Sequence, residues 1–97
     1  MMNHDKVRSL LDEIADEMNQ ASKSNPTFNS HHEAFGVLYE EVDEYWDEVK
    51  RNPLKRDDGT RYPESEHEWQ RILHRGLLKD ELVQVAAMAL RALHDLC

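Results

Sequence analysis

Apolar residues recur at three- and four-residue intervals over three stretches of the chain, and nowhere do they alternate long enough to predict a strand. Val7, Leu10, Leu11, Ile14 and Met18 form one stripe of a helix over residues 5–24, with Arg8, Asp12, Glu13, Asp16 and Asn19 off it. Asn25-Pro26 ends that helix, because a residue before proline avoids the α region. A second helix is predicted from His31 to Arg51. Ser30 and Glu33 fit a capping box at its start, and Asn52-Pro53 stops it. A third helical region covers residues 66–96. Ser65 with Glu68 reads as another capping box, and Gly76 as a bend or break giving a short helix and then a long one. The polar residues 52–65 form the loop between, with a turn at Asp58-Gly59; the length suits a plain surface loop or a mobile lid.

The expected fold is therefore all-α, a helical hairpin-like protomer of three to four helices. The segment LVQVAAMAL, Leu82 to Leu90, is apolar nearly all round. Such a helix is normally buried on every side, and two neighbours from one short chain can hardly cover it. The expectation is a partner chain and a multi-chain, four-helix-type bundle.

Charge narrows the function. The 97 residues make one small domain, and 12 basic against 20 acidic residues leave a net charge of −8. A chain this acidic is not expected to bind nucleic acid through a broad basic surface, although an acidic site can reach phosphates through divalent cations. No apolar run approaches a membrane span, and the start, MMNHDKVRSL, lacks the apolar core of a signal peptide, so a cytoplasmic location is expected. The single cysteine, Cys97, reads as incidental. His31 and His32 are adjacent and their rings diverge; His67 and His74 lack a metal-binding framework. There is no Gly-rich phosphate loop, nucleophile elbow or zinc spacing.

The carboxylates carry the candidate chemistry. YEEVDEYWDEV, Tyr39 to Val49, holds six acids. On a helical wheel with Glu41 at zero, Ala34, Phe35, Leu38, Val42, Tyr45, Trp46 and Val49 fall between about 20° and 140°, and Val37 lies about 40° to the other side. Glu41 thus sits inside the apolar arc, with Glu44 and Glu48 at its edge. Glu40, Asp43 and Asp47 face away. The aromatics in that arc are expected in a core. The last helix repeats the anomaly: Leu78, Val85, Met88 and Ala92 surround Glu81, and Gln84 follows one turn later. An inward carboxylate must be protonated, paired or bound to a cation. Two such helices packed together would converge three carboxylates and one amide, a donor set suited to Mg²⁺ or Mn²⁺. The rival is a buried ion pair with a cation such as Lys79 or Arg75.

EEVDE, Glu40 to Glu44, has the form EExxE, and ELVQ, Glu81 to Gln84, stands where an ExxD element would. With HHEAFGVLYEEVDEYWDEVK and ELVQVAAMALRALHDL around them, residues 24–96 resemble the MazG-like, all-α nucleoside triphosphate pyrophosphohydrolases, in the short form found in phages and mobile cassettes. The resemblance implies Mg²⁺-dependent hydrolysis of a (d)NTP to (d)NMP and pyrophosphate, a house-cleaning activity on the nucleotide pool. It implies a homodimeric helical bundle, often paired again into a homotetramer as a dimer of dimers, with Glu41, Glu44, Glu81 and Gln84 as metal ligands. Gln84 departs from the family's aspartate: its amide oxygen can ligate Mg²⁺ but brings no charge and cannot act as a base, which leaves Glu40 or Glu48 as the candidates to compensate.

Expected roles follow. Glu41, Glu44 and Glu81 hold the metal, and Glu40 or Glu44 orients the attacking water. Lys50, Arg51, Lys55, Arg75 or Lys79 holds phosphate oxygens, with Lys50 and Lys79 preferred, while His32 and either Phe35 or Trp46 line the substrate pocket. A non-catalytic nucleotide-binding or protein-interaction module is the main alternative, supported by Gln84 and the apolar last helix. A purely structural bundle is the third.

Overall fold

The computed structural model describes residues 2–97 and is all-helical: α1 (His4–Ser24), α2 (His31–Lys50), a single 3₁₀ turn (Glu64–Glu66) and α3 (His67–Leu96). No helix of the described residues is long and apolar enough to cross a membrane.

Local chemistry explains most boundaries. Asn3 caps α1, its side-chain oxygen accepting from the Lys6 amide at 3.1 Å. Ser30 caps α2 by accepting from the Glu33 amide at 3.1 Å. Ser65 does not cap α3. The 3₁₀ turn occupies that position, and α3 starts without a side-chain cap. Nor does Gly76 divide α3, which runs unbroken for 30 residues. Packing of both other helices against it outweighs the propensity cost of one glycine, about 1 kcal/mol.

The connection between α2 and α3 is an ordered miniature hairpin. Lys55 and Arg61 form an isolated antiparallel bridge, and Gly59 takes the positive φ (88°) that its turn requires. Asp58 accepts from the Thr60 amide at 2.9 Å. Two histidines fasten its flanks to α3: His67 Nε2 lies 2.9 Å from the Tyr62 carbonyl, and His74 Nε2 lies 2.8 Å from the Glu48 carbonyl. The histidines that sequence spacing left without a role thus hold the loop and the end of α2 in place.

α3 is the axis of the fold. α1 and α2 each pack against it, and not appreciably against each other. The link between α1 and α2 is anchored on the last turns of α3. Arg91, only 4% exposed, donates to the Pro26 carbonyl and stacks 4.2 Å over the Phe28 ring. Asp95 accepts from the Phe28 amide at 3.0 Å. Truncating Arg91 would strand these partners in a dry site.

The buried apolar core is small: Phe28, Ala34, Ala87 and Met88. The α2 arc splits in two. Ala34, Val37, Leu38, Glu41, Tyr45 and Glu48 are buried or half-buried, whereas Phe35, Tyr39, Val42, Trp46 and Val49 are exposed. The expectation that Phe35 and Trp46 are core residues therefore fails within one chain, and only Tyr45 is partly covered. Leu11 of the α1 stripe is exposed too, as are Trp69, Ile72, Leu73, Leu77, Leu82, Leu90 and Leu93 of α3.

Candidate metal centre

α2 and α3 meet through their inward acids. Positions 34, 37, 38, 41, 45 and 48 of α2 recur at helical spacing and face α3, so Glu41 is aimed into the helix–helix contact by the periodicity that buries Ala34. On α3, Glu81 lies on the partly covered face with His74, Leu78 and Val85. Glu44, one turn beyond Glu41, sits at the exposed rim. One carboxylate oxygen from each of Glu41, Glu44 and Glu81 lies within 4.8 Å of the others.

No hydrogen bond or ion pair to these three carboxylates occurs among the described residues, and Glu81 Oε2 is buried without a partner. The cations that sequence reasoning offered as buried partners are not there for them. Lys79 pairs with Glu13 of α1 at 3.0 Å, and Arg75 makes no ion pair among the described residues. The donor set therefore fits a hard divalent cation: three carboxylates from two rigid helices, one oxygen already stripped of water.

Electrostatics express the same shortage of positive charge. The Glu41 carboxyl is pushed above the ordinary carboxylate range, by burial first and then by Glu44, Glu81, Glu40 and Glu17. Glu81 is raised by burial and then by Glu44, Glu48 and Asp80.

The remaining predicted residues are dispersed. Gln84 follows Glu81 but donates its amide N–H to Glu17 of α1, at 2.7 Å. Glu48 is held by Arg51 at 2.6 Å and lies 3.5 Å from His74 Nε2, so its charge is already met. Glu40 is exposed and borders a cavity between α1 and α2. Lys50 bridges Asp47 at 3.2 Å and lies 5.7 Å over the ring of Trp46, on the outer side of α2. His32 is exposed at the start of α2, about 14 Å along the helix axis from Glu41. Within one chain, then, His32, Trp46, Lys50 and Lys79 are not gathered around the carboxylates.

Glu17 was not anticipated. Its signal was present: it lies seven residues after Leu10 and three after Ile14, on the edge of the α1 stripe. It is a further half-buried acid, carried by α1.

The chain matches no protein-family profile, no curated protein and no solved structure.

Raised carboxyls set the sign of a pH effect. Above the ordinary glutamate value of about 4.3 the unfolded chain releases these two protons before the folded one does. The contribution of Glu41 and Glu81 to stability is therefore greatest in acid and falls as pH rises. Without divalent ions, Glu41→Gln should gain melting temperature over the parent as pH goes from about 4 to 7, and Mg²⁺ should close the gap by stabilising the parent. Melts followed by circular dichroism test this; a difference independent of pH would show that Glu41 is not a strained acid.

Proposed function

We propose that the chain is a divalent-cation-dependent nucleoside triphosphate pyrophosphohydrolase of the MazG-like all-α type, converting a (d)NTP and water to (d)NMP and pyrophosphate. The observation that carries this reading is the convergence of Glu41, Glu44 and Glu81 with no ion pair to them among the described residues. An uncompensated inward cluster costs stability unless something binds it. The similarity of EEVDE and ELVQ to the family's acidic elements gives that something a reaction.

Mg²⁺ or Mn²⁺ held by the three carboxylates would neutralise charge on the triphosphate and polarise the α-phosphate. Glu44 at the rim is placed to meet an incoming phosphate group. Glu40, exposed and next in the chain to Glu41, is free to accept a proton from the attacking water. Lys79 is tied by an exposed ion pair to Glu13, and Lys50 by one to Asp47 and by its place over the Trp46 ring; exposed ion pairs contribute about 0–1 kcal/mol and are readily exchanged for a phosphate. Gln84, committed to Glu17, adds no charge, which points to three carboxylates rather than four as the anionic ligand set.

A second copy of the chain completes the bundle in this reading. The accessible surface is 7423 Å², against about 5,800 Å² for a compact monomer of this mass. The radius of gyration is 16.4 Å, against about 13 Å. The excess surpasses the roughly 800 Å² per partner of a standard interface, and the apolar stripe Phe35–Tyr39–Val42–Trp46–Val49 supplies it with a continuous contact face. A homodimer or homotetramer covering that stripe would bring Trp46, Lys50 and His32 against another chain.

Pyrophosphate release from a panel of (d)NTPs with Mg²⁺ and Mn²⁺ tests the activity. Turnover should fall by at least about a hundredfold in Glu41→Gln. No turnover above that variant with any nucleotide rejects the enzyme, and nucleotide binding without release leaves the binding-module alternative. In light scattering the chain should run as an even-numbered oligomer; a monomer at micromolar concentration would contradict the bundle.

A further inference from the structure

The geometry points to a binding site for a compact phosphate anion, a single phosphate group or pyrophosphate, on the outer face of the hairpin between α2 and α3, held by Lys55 and Arg61. The site shares no residue with the carboxylate cluster, and it stands or falls apart from the pyrophosphohydrolase reading.

Backbone register brings these two side chains together. The Tyr62 amide donates to the Leu54 carbonyl at 3.0 Å, and the Arg56 amide donates to the Thr60 carbonyl at 2.7 Å. Lys55 and Arg61 face each other between those bonds. They are thus the non-hydrogen-bonded kind of antiparallel pair, whose Cα atoms lie about 4.5 Å apart and whose side chains leave one face at close range. Pleating sends Leu54 and Tyr62 to the opposite face, where both are half-buried and Arg56 stacks 4.7 Å over the Tyr62 ring. Lys55 and Arg61 are both exposed.

Like charges directly opposite each other destabilise a strand pair. The hairpin has acids that could relieve them and does not use them so. Asp58 is folded into its own turn, accepting from the Thr60 amide at 2.9 Å and from the Thr60 hydroxyl at 2.6 Å. No ion pair among the described residues reaches Lys55 or Arg61. The two cations are nonetheless held together. An Arg56 guanidinium N–H donates to the Arg61 carbonyl at 3.2 Å, and His67 Nε2 ties the next residue, Tyr62, to α3. A fixed pair of unpaired cations suits a small multivalent anion. The guanidinium fork takes two phosphate oxygens and the ammonium a third. A carboxylate offers only two oxygens, which the fork alone would fill. The net charge of −8 favours a compact anion over a nucleic acid strand, because a long polyanion laid on the hairpin would run onto acidic surface.

Amide chemical shifts, followed during titration with sodium pyrophosphate or inorganic phosphate in EDTA, test the site with no divalent ion to recruit the anion elsewhere. Sodium chloride of equal ionic strength is the control. Saturable shifts confined to the hairpin, absent with chloride, are the expected result. The double variant Lys55→Gln/Arg61→Gln should lose at least about tenfold in pyrophosphate affinity. Arg61→Lys, which keeps the charge and loses the fork, should fall between it and the parent. Shifts that chloride reproduces, or an affinity unchanged in the double variant, overturn the site. Tighter binding of a short single-stranded oligonucleotide than of pyrophosphate overturns the compact anion as its ligand. None of these results bears on metal binding by the carboxylates.

Discussion

Two carboxylates facing each other where two helices pack is the constraint on which the rest depends. Glu41 and Glu81 stand where helical periodicity would otherwise place apolar side chains, and no cation among the described residues pairs with them. Coulomb repulsion at this separation is weak in water and grows steeply as water is excluded. The folded chain therefore carries a local excess of negative charge that protonation or an external cation must relieve. Glu44 at the rim and Glu17 across the gap enlarge that excess rather than screen it. Arg51 is committed to Glu48, Lys79 to Glu13 and Arg91 to the Pro26–Phe28 link, and Arg75 forms no ion pair among the described residues.

The architecture keeps this arrangement in place. Among the described residues α3 alone contacts both other helices, so the spacing between α1 and α2 is set by where each docks on it. Arg91 and Asp95 lock the start of α2 to the end of α3, and His74 locks the end of α2 near the middle of α3. The acids lie between these two fastenings and cannot retreat by sliding or rotating one helix. Rigid placement at this cost in stability is usual where function demands it. The same architecture leaves much apolar surface uncovered. Helical spacing that gives α2 one face for α3 also gives it a second, outward stripe, and one chain has no further helix to lay on it.

Much of this was legible in the residues. Three helices follow from periodicity, and the stops at Asn25-Pro26 and Asn52-Pro53 follow from backbone sterics. A wheel drawn at 100° per residue singles out Glu41 and Glu81 because each stands alone among apolar neighbours. What one-dimensional reading missed depends on distant partners. Gln84 looked like a ligand because it follows Glu81 by one turn, but Glu17, 67 residues away, takes its amide. Glu48 looked available until Arg51 and His74 closed on it. The break at Gly76 did not form because tertiary packing overrides a single residue's propensity. The buried role given to Phe35 and Trp46 failed because a wheel shows that a face is apolar, not which neighbour covers it.

The central claim is that Glu41, Glu44 and Glu81 form a cation site rather than a structural cluster of acids. Titration with Mn²⁺, following the free ion by electron paramagnetic resonance, addresses it without reference to any substrate. Saturable binding that Mg²⁺ competes away and that disappears in folded Glu81→Gln is the expected result. A wild-type titration that superimposes on that of Glu81→Gln would contradict it.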